Sequence, residues 1–368
     1  MSKSTYKVKA GYNIQHETKQ RALTCLKEII ANKGIVGINS NSNIEIIKRI
    51  LNEHDVKFYE ACCNGHKSVY TEPAEIVFNS HVDVVPSDDE AFTPKIVGNR
   101  LYGRGSADAL GCAVSMVLSF LELKTLGKNV SLMIVSDEED GGLQGTKHLL
   151  DNEFVLNEVK YVIVGEPTEN FGFSVREKGI LRIRMDVFGE AGHPERPDTK
   201  NAIYTAIDVM NEIRNHPKLQ LSDEFYEKKI NLSPTIINGG TAQNIVPDKV
   251  SIKYDVRFAP GIFSEEIIEI FEGVKKKYAC DYKILKKRDA SFADTNNEYF
   301  KVLEKIAGNP EKVVTNGASD YSYFFEKGIP GVVYGVKGAG WHKNSEYVEL
   351  DSVYKYIENL VNFVLEVD

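Results

Sequence analysis

Three short apolar runs, each closing on acids or a histidine, constrain this chain more than any other feature. They cover residues 75–79, 130–136 and 161–165 and lead into FNSHVDVVP, SLMIVSDEEDGG and YVIVGEPTE. Short apolar runs bounded by polar clusters read as buried strands of a parallel sheet. Between the first two lies the small-residue segment 109–126, which reads as a buried helix. Residues 18–32 and 43–53 alternate at helical spacing and read as surface helices. Strands separated by helices make an α/β domain with a mostly parallel sheet, where chemistry gathers beyond the carboxyl ends of the strands. The acids and histidines fall at those ends.

From about residue 179 the pattern changes. ILRIRMDVF at 180–188 alternates apolar and polar residues, as a half-buried strand does. A helix over 201–214, strands at 233–238 and 250–258, a helix over 264–277 and a strand at 281–285 complete a β-α-β-β-α-β order. That order is ferredoxin-like. Residues 313–316 and 331–336 again read as core strands, and 351–365 as a closing amphipathic helix. The expected architecture is a catalytic α/β domain of residues 1–178 and 290–368, interrupted by an inserted α+β domain of residues 179–289. A length of 368 residues suits two such domains.

Composition narrows the function. A net charge of -8, with no long Lys/Arg block, argues against a nucleic-acid surface. Neither a signal-peptide core nor a run of 18 apolar residues is present, so no membrane role is expected. The five cysteines, an odd number with one adjacent pair, make a poor disulfide framework and suit a reducing, cytoplasmic setting. No G-x-S-x-G elbow or Cys/His pairing suggests a Ser or Cys hydrolase.

Five segments place metal-ligand types at the expected rim. His81 and Asp83 stand two apart on a strand and so point the same way, an arrangement in which Asp83 can accept the second ring N–H of a metal-bound His81. Alone, such a pair also serves as a turn. Asp108, after the glycine-rich LYGRGSADALG, is a ligand or an ordinary N-cap. Asp137 to Asp140 put four acids on one loop, and Glu166 and His342 complete the set. Two imidazoles with several carboxylates suit zinc, cobalt or manganese, and the carboxylate count suits two ions sharing a ligand.

With these segments in order, the chain resembles the dinuclear zinc amidohydrolases that include acetylornithine deacetylase, succinyl-diaminopimelate desuccinylase, aminoacylase and glutamate carboxypeptidase. The resemblance runs from about residue 20 to the end. It implies a phosphorylase/hydrolase-like catalytic domain and an inserted lid that dimerises. It implies His81 and Glu166 on one metal, Glu139 and His342 on the other, Asp108 bridging them, Asp83 orienting His81 and Glu138 as general base. A cis peptide after Asp108 is also implied. In the inserted domain, GEAGHPERPDTKNAI points to His193 for oxyanion binding, across a homodimer in relatives. GGTAQNIVPD points to Asn244 and YDVRFAPG to Arg257 for the substrate, although Arg257 also suits an exposed strand salt bridge. The chain departs from the family in Asp108-Ala109-Leu110-Gly111, where a lysine commonly replaces Leu110, and in Pro194-Glu195-Arg196. The expected activity is removal of an N-acyl group from an amino acid, first of all acetylornithine-like. Desuccinylation and dipeptide or carboxypeptidase cleavage are the alternatives. No arginine follows Gly317-Ala318-Ser319-Asp320, where a succinyl carboxylate would call for one.

Overall fold

A computed structural model describes residues 11–196 and 199–367; the first ten residues, read above for a leader, lie outside them. The chain forms two compact units, one of residues 1–175, 293–313 and 319–368 and the other of residues 176–292 and 314–318.

The first unit is built on a mixed sheet whose four central strands are parallel. Their order is Ser131–Val135, Ile76–His81, Tyr161–Gly165 and Gly331–Tyr334. Every residue of these four strands is buried, which explains their unbroken apolar sequence. A hairpin of Tyr59–Cys63 and His66–Tyr70 continues the sheet antiparallel on one side. Phe173–Glu177 pairs antiparallel with Gly331–Tyr334 on the other. Lys312–Thr315, expected in the core, is instead a half-buried side strand off the main path. Its two adjacent valines resemble a core strand because so short a run holds too few residues to show an exposed face.

The helix Leu110–Thr125 is apolar all round and buried along most of its length, and it packs against the His81 strand and the closing helix Leu350–Val367. Its two buried serines satisfy themselves locally, Ser115 donating to the Gly111 carbonyl at 2.7 Å and Ser119 to the Ser115 carbonyl at 2.8 Å. Close approach at its start requires glycine, since a Cβ on Gly111 would sit 2.5 Å from the Ser106 carbonyl oxygen. That contact fixes how the Asp108 loop enters the helix.

The second unit has the βαββαβ order and an antiparallel sheet in the sequence Ile230–Gly239, Lys249–Phe258, Gly179–Phe188, Cys280–Arg288. Alternate residues of the two middle strands face the helices Ala202–Arg214 and Ser264–Lys277 and form their own core. This is the ferredoxin-like arrangement. Asn201 caps the first of these helices by accepting the Ile203 N–H at 2.8 Å. Among the described residues no helix is long and apolar enough to cross a membrane, and all five cysteines are free thiols.

Candidate metal centre

Parallel strands end on one side of a sheet, and here three of them deliver the site. Ile76–His81 ends on His81, Ser131–Val135 runs into Asp137, Glu138 and Glu139, and Tyr161–Gly165 is followed at once by Glu166. Asp108 arrives from the turn before the buried helix, and the peptide between Asp108 and Ala109 is cis. His342 sits in a turn closed by the Lys343 N–H on the Gly340 carbonyl at 2.9 Å, with a left-handed φ of 58°. Such a backbone is uncommon for a non-glycine residue and clusters at functional positions.

The side chains gather in two groups, His81 with Glu138 and Glu166, and Asp108 with Glu139 and His342. Asp108 stands between the histidines, its Oδ1 3.5 Å from His81 Nε2 and its Oδ2 3.3 Å from His342 Nε2. His81 Nε2 lies 3.4 Å from Glu166 Oε2, and His342 Nε2 lies 3.3 Å from Glu139 Oε1. The acid run thus divides. Glu138 and Glu139 enter the groups, whereas buried Asp137 accepts the Gln144 N–H at 2.7 Å and Asp140 is exposed.

Asp83 does more than the sequence suggested, and does it differently. The His81 Nδ1 partner at 3.0 Å is the backbone carbonyl of Asp83, with the carboxylate Oδ1 farther off at 3.4 Å. The carboxylate is engaged by backbone N–H groups, from Glu138 at 3.2 Å and from Glu139 at 3.0 Å. A carbonyl only accepts, so His81 Nδ1 carries a proton and, in the neutral ring, the Nε2 lone pair is left for a cation.

The donor set fits divalent cations. Four carboxylates meet two imidazoles, so the acids, once all ionised, carry more charge than two protonated histidines can balance. His81 Nε2 and Glu139 Oε1 are buried without a hydrogen bond, each facing its charged neighbours instead. Ligands held about 2.0–2.1 Å from a tetrahedral ion stand roughly 3.3–3.4 Å apart, close to the separations above. The electrostatics agree. Burial drives the Glu166 carboxyl well up and that of Glu139 to about 7. Contacts with Asp108 and Glu139 raise His342 to about 10. Burial opposes charge on His81, yet Glu166, Asp108 and Asp83 outweigh it and raise its pKa well above the ordinary value. Burial also works against the Asp108 anion, but His342 and His81 prevail and hold it below the usual carboxylate range. Opposed shifts of this size in one cluster mark a functional site.

The remaining sequence candidates belong to the second unit. His193 is exposed, its Nδ1 3.4 Å from the Glu195 N–H. An isolated bridge between Gly192 and Val246, with the Val246 N–H on the Gly192 carbonyl at 2.8 Å, places the His193 and Asn244 loops side by side. Arg257 is paired on its own strand with Asp255, Nε to Oδ1 at 2.8 Å, which is the salt bridge its sequence setting also allowed. Sequence reasoning passed over Arg104 and Glu346, a buried ion pair of 2.7 Å beside the Asp108 loop. Their only signal was the spacing of Glu346, four residues beyond His342.

Comparison with known proteins agrees with this geometry. The model of peptidase family M20/M25/M40 matches residues 77–366. Succinyl-diaminopimelate desuccinylase of Rickettsia bellii (strain RML369-C) is 27% identical over 379 residues, covering 93% of this chain and 96% of that protein. The enzyme of the same name from Rickettsia felis is 26% identical over 380 residues, covering 93% and 98%. Among solved structures, aminopeptidase PepT from Bacillus cereus superposes with a TM-score of 0.74 at 17% identity, covering 95% of this chain and 98% of that one. YXEP of Bacillus subtilis, described as a dinuclear metal-binding peptidase, gives 0.66 at 15% identity, covering 96% and 100%. The chain belongs to peptidase family M20/M25/M40 and is a hydrolase of amide or peptide bonds.

Proposed function

We propose that the chain is a two-metal amidohydrolase that cleaves the amide bond of a small N-acylated amino acid. The observation behind this reading is the placement of Asp108 between two histidines, each of which has a further acid beside it. His81, Glu166 and Asp108 would hold one cation, and Asp108, Glu139 and His342 the other, with zinc the best match to the donors. When bound, such ions polarise a carbonyl and lower the pKa of water.

The protein's own groups account for the rest. Glu138 accepts the proton of the attacking water and returns it to the leaving amine, as a carboxylate poised beside the reacting atoms can. Asp83 keeps Glu138 and Glu139 in register through their two backbone N–H groups. The Asp83 carbonyl holds the His81 ring in the tautomer that presents Nε2. His193 as an oxyanion donor, with Asn244 and Arg257 as substrate contacts, follows from the family resemblance.

For the substrate, the desuccinylase name of the sequence relatives favours succinyl-diaminopimelate over the acetylornithine expected from sequence. The missing arginine after Asp320 is less of an objection than it was. Buried Arg288 donates from Nη1 to the Ala318 carbonyl at 3.0 Å, so a guanidinium stands at that turn. A homodimer is supported by the edge strand Ile230–Gly239, which exposes Ile236 and Ile237 beside unpaired backbone. Such an edge is a template for pairing with a second copy.

The test is amine release from succinyl-diaminopimelate, N-acetylornithine and several dipeptides, with and without chelator, by the zinc-loaded protein. Chelator-sensitive release from the succinyl substrate is expected. Cleavage of dipeptides alone would move the chain to the peptidases. Glu138→Gln should keep its metal and lose about 10²–10⁴-fold in turnover; unchanged turnover would remove Glu138 as the base.

A further inference from the structure

We infer that Glu346 is the positioning residue of the second ligand group, locking the loop that carries Asp108 to the turn that carries His342. The inference rests on the two-metal reading above and names what builds one of its sites.

The loop from Gly103 to Asp108 lies between the short strand Arg100–Tyr102 and the helix Leu110–Thr125. Buried backbone N–H groups need partners, and four along this loop find theirs in one residue. The Gly103 N–H donates to the Glu346 carbonyl at 3.1 Å. The Gly105 N–H donates to Glu346 Oε2 at 2.9 Å, and those of Ala107 and Asp108 to Oε1, both at 3.1 Å. Arg104 adds a charged hydrogen bond from Nη1 to Oε2 at 2.7 Å. The carboxylate is 1% exposed, so water cannot replace any of these partners.

The same residue closes the His342 turn. Its N–H donates to the Lys343 carbonyl at 3.2 Å, one step after the turn that presents the imidazole. A second connection runs outside it. Arg104 Nη2 donates to Ser87 Oγ at 3.2 Å, and that hydroxyl donates to Asn344 Oδ1 at 2.6 Å. Asp108 and His342 are therefore fixed to each other through the protein before any ion is considered. None of the described hydrogen bonds of Glu346 goes to His81, Glu138 or Glu166, which take their places from strand ends and from Asp83.

Zinc titration of the full chain against a competing chelator tests this, comparing the unaltered protein with Glu346→Gln. The amide would turn a donor toward N–H groups that need an acceptor. The unaltered chain should bind two equivalents. In the variant one equivalent should bind about 10–100-fold more weakly, the usual loss when a ligand's support is removed, and the other, which shares only Asp108 with it, should weaken distinctly less. Turnover of the variant should recover in excess zinc, which a general loss of folding would not allow. Equal weakening of both equivalents, or of neither, would overturn the inference. Should Glu346→Gln not fold, Arg104→Lys carries the same test, because it leaves the carboxylate its backbone partners; a smaller loss, again greater at one equivalent than at the other, is expected, and equal loss overturns it. Fewer than two equivalents in the unaltered chain would overturn the two-metal reading itself, and this inference with it.

Discussion

His81 and His342 face the same aspartate but are held in opposite ways. His81 is 1% exposed at the end of a buried parallel strand, its ring fixed by the Asp83 carbonyl. His342 is 56% exposed, in a left-handed turn outside any regular element of the sheet. The first group inherits its geometry from the fold, since strand ends, with Asp83 beside them, set where residues 81, 138 and 166 emerge. The second depends on loops, and loops hold position only through specific hydrogen bonds. One centre thus joins a half held by strand pairing to a half held by hydrogen bonds between loops.

The largest expected effect tests that contrast by deletion. His81→Ala removes a buried ring from among acids and should lower the melting temperature of the metal-free protein by several degrees, as well as emptying one metal site. His342→Ala should empty the other site with a melting temperature within about 2 °C of the original, as suits a half-exposed turn. Thermal unfolding with zinc counted by mass spectrometry compares them. Equal destabilisation would erase the distinction.

A smaller effect should appear with pH. Glu139 rises from 4.5 to about 7 on folding, so the metal-free folded state holds that proton more tightly, and stability falls as pH climbs through this interval. His342 rises from 6.5 to about 10, so its contribution is complete below 6.5 and is lost as pH rises through 10. Both slopes have the same sign. The melting temperature of the metal-free protein should therefore fall between about pH 5 and pH 10, while the gain on adding zinc grows, because binding the ion displaces these protons. A metal-free protein that became more stable over that range would contradict the assignment of these shifts.

The smallest change expected is in Asn344→Ala, which cuts hydrogen bonds to Ser87 and Asp88 on the exposed side of the His342 turn. Zinc affinity at the second site should weaken only a few-fold, with turnover at saturating zinc retained. A loss as large as that of His342→Ala would place the turn's support there rather than in the interior.

The half held by strand pairing was the legible one. Buried strands announce themselves by unbroken apolar runs, so His81, Glu138, Glu139 and Glu166 could be placed at one rim from sequence. The ferredoxin-like order was legible for the same reason, through period-two alternation in Gly179–Phe188 and Lys249–Phe258. Supporting contacts were not. Nothing in H-x-D says that the Asp83 carboxylate bonds the backbone of residues 55 and 56 positions later. Nothing local marks Glu346, whose partners lie on a loop over 200 residues away. Local patterns report which face of an element is buried; they carry no record of distant backbone amides that need an acceptor.

Anomalous diffraction at the zinc absorption edge, from crystals of the zinc-loaded chain, tests the central claim most directly. Two peaks are predicted per chain, one against His81 and Glu166, the other against Glu139 and His342, with Asp108 between them. A single peak, or zinc bound away from Asp108, would contradict it.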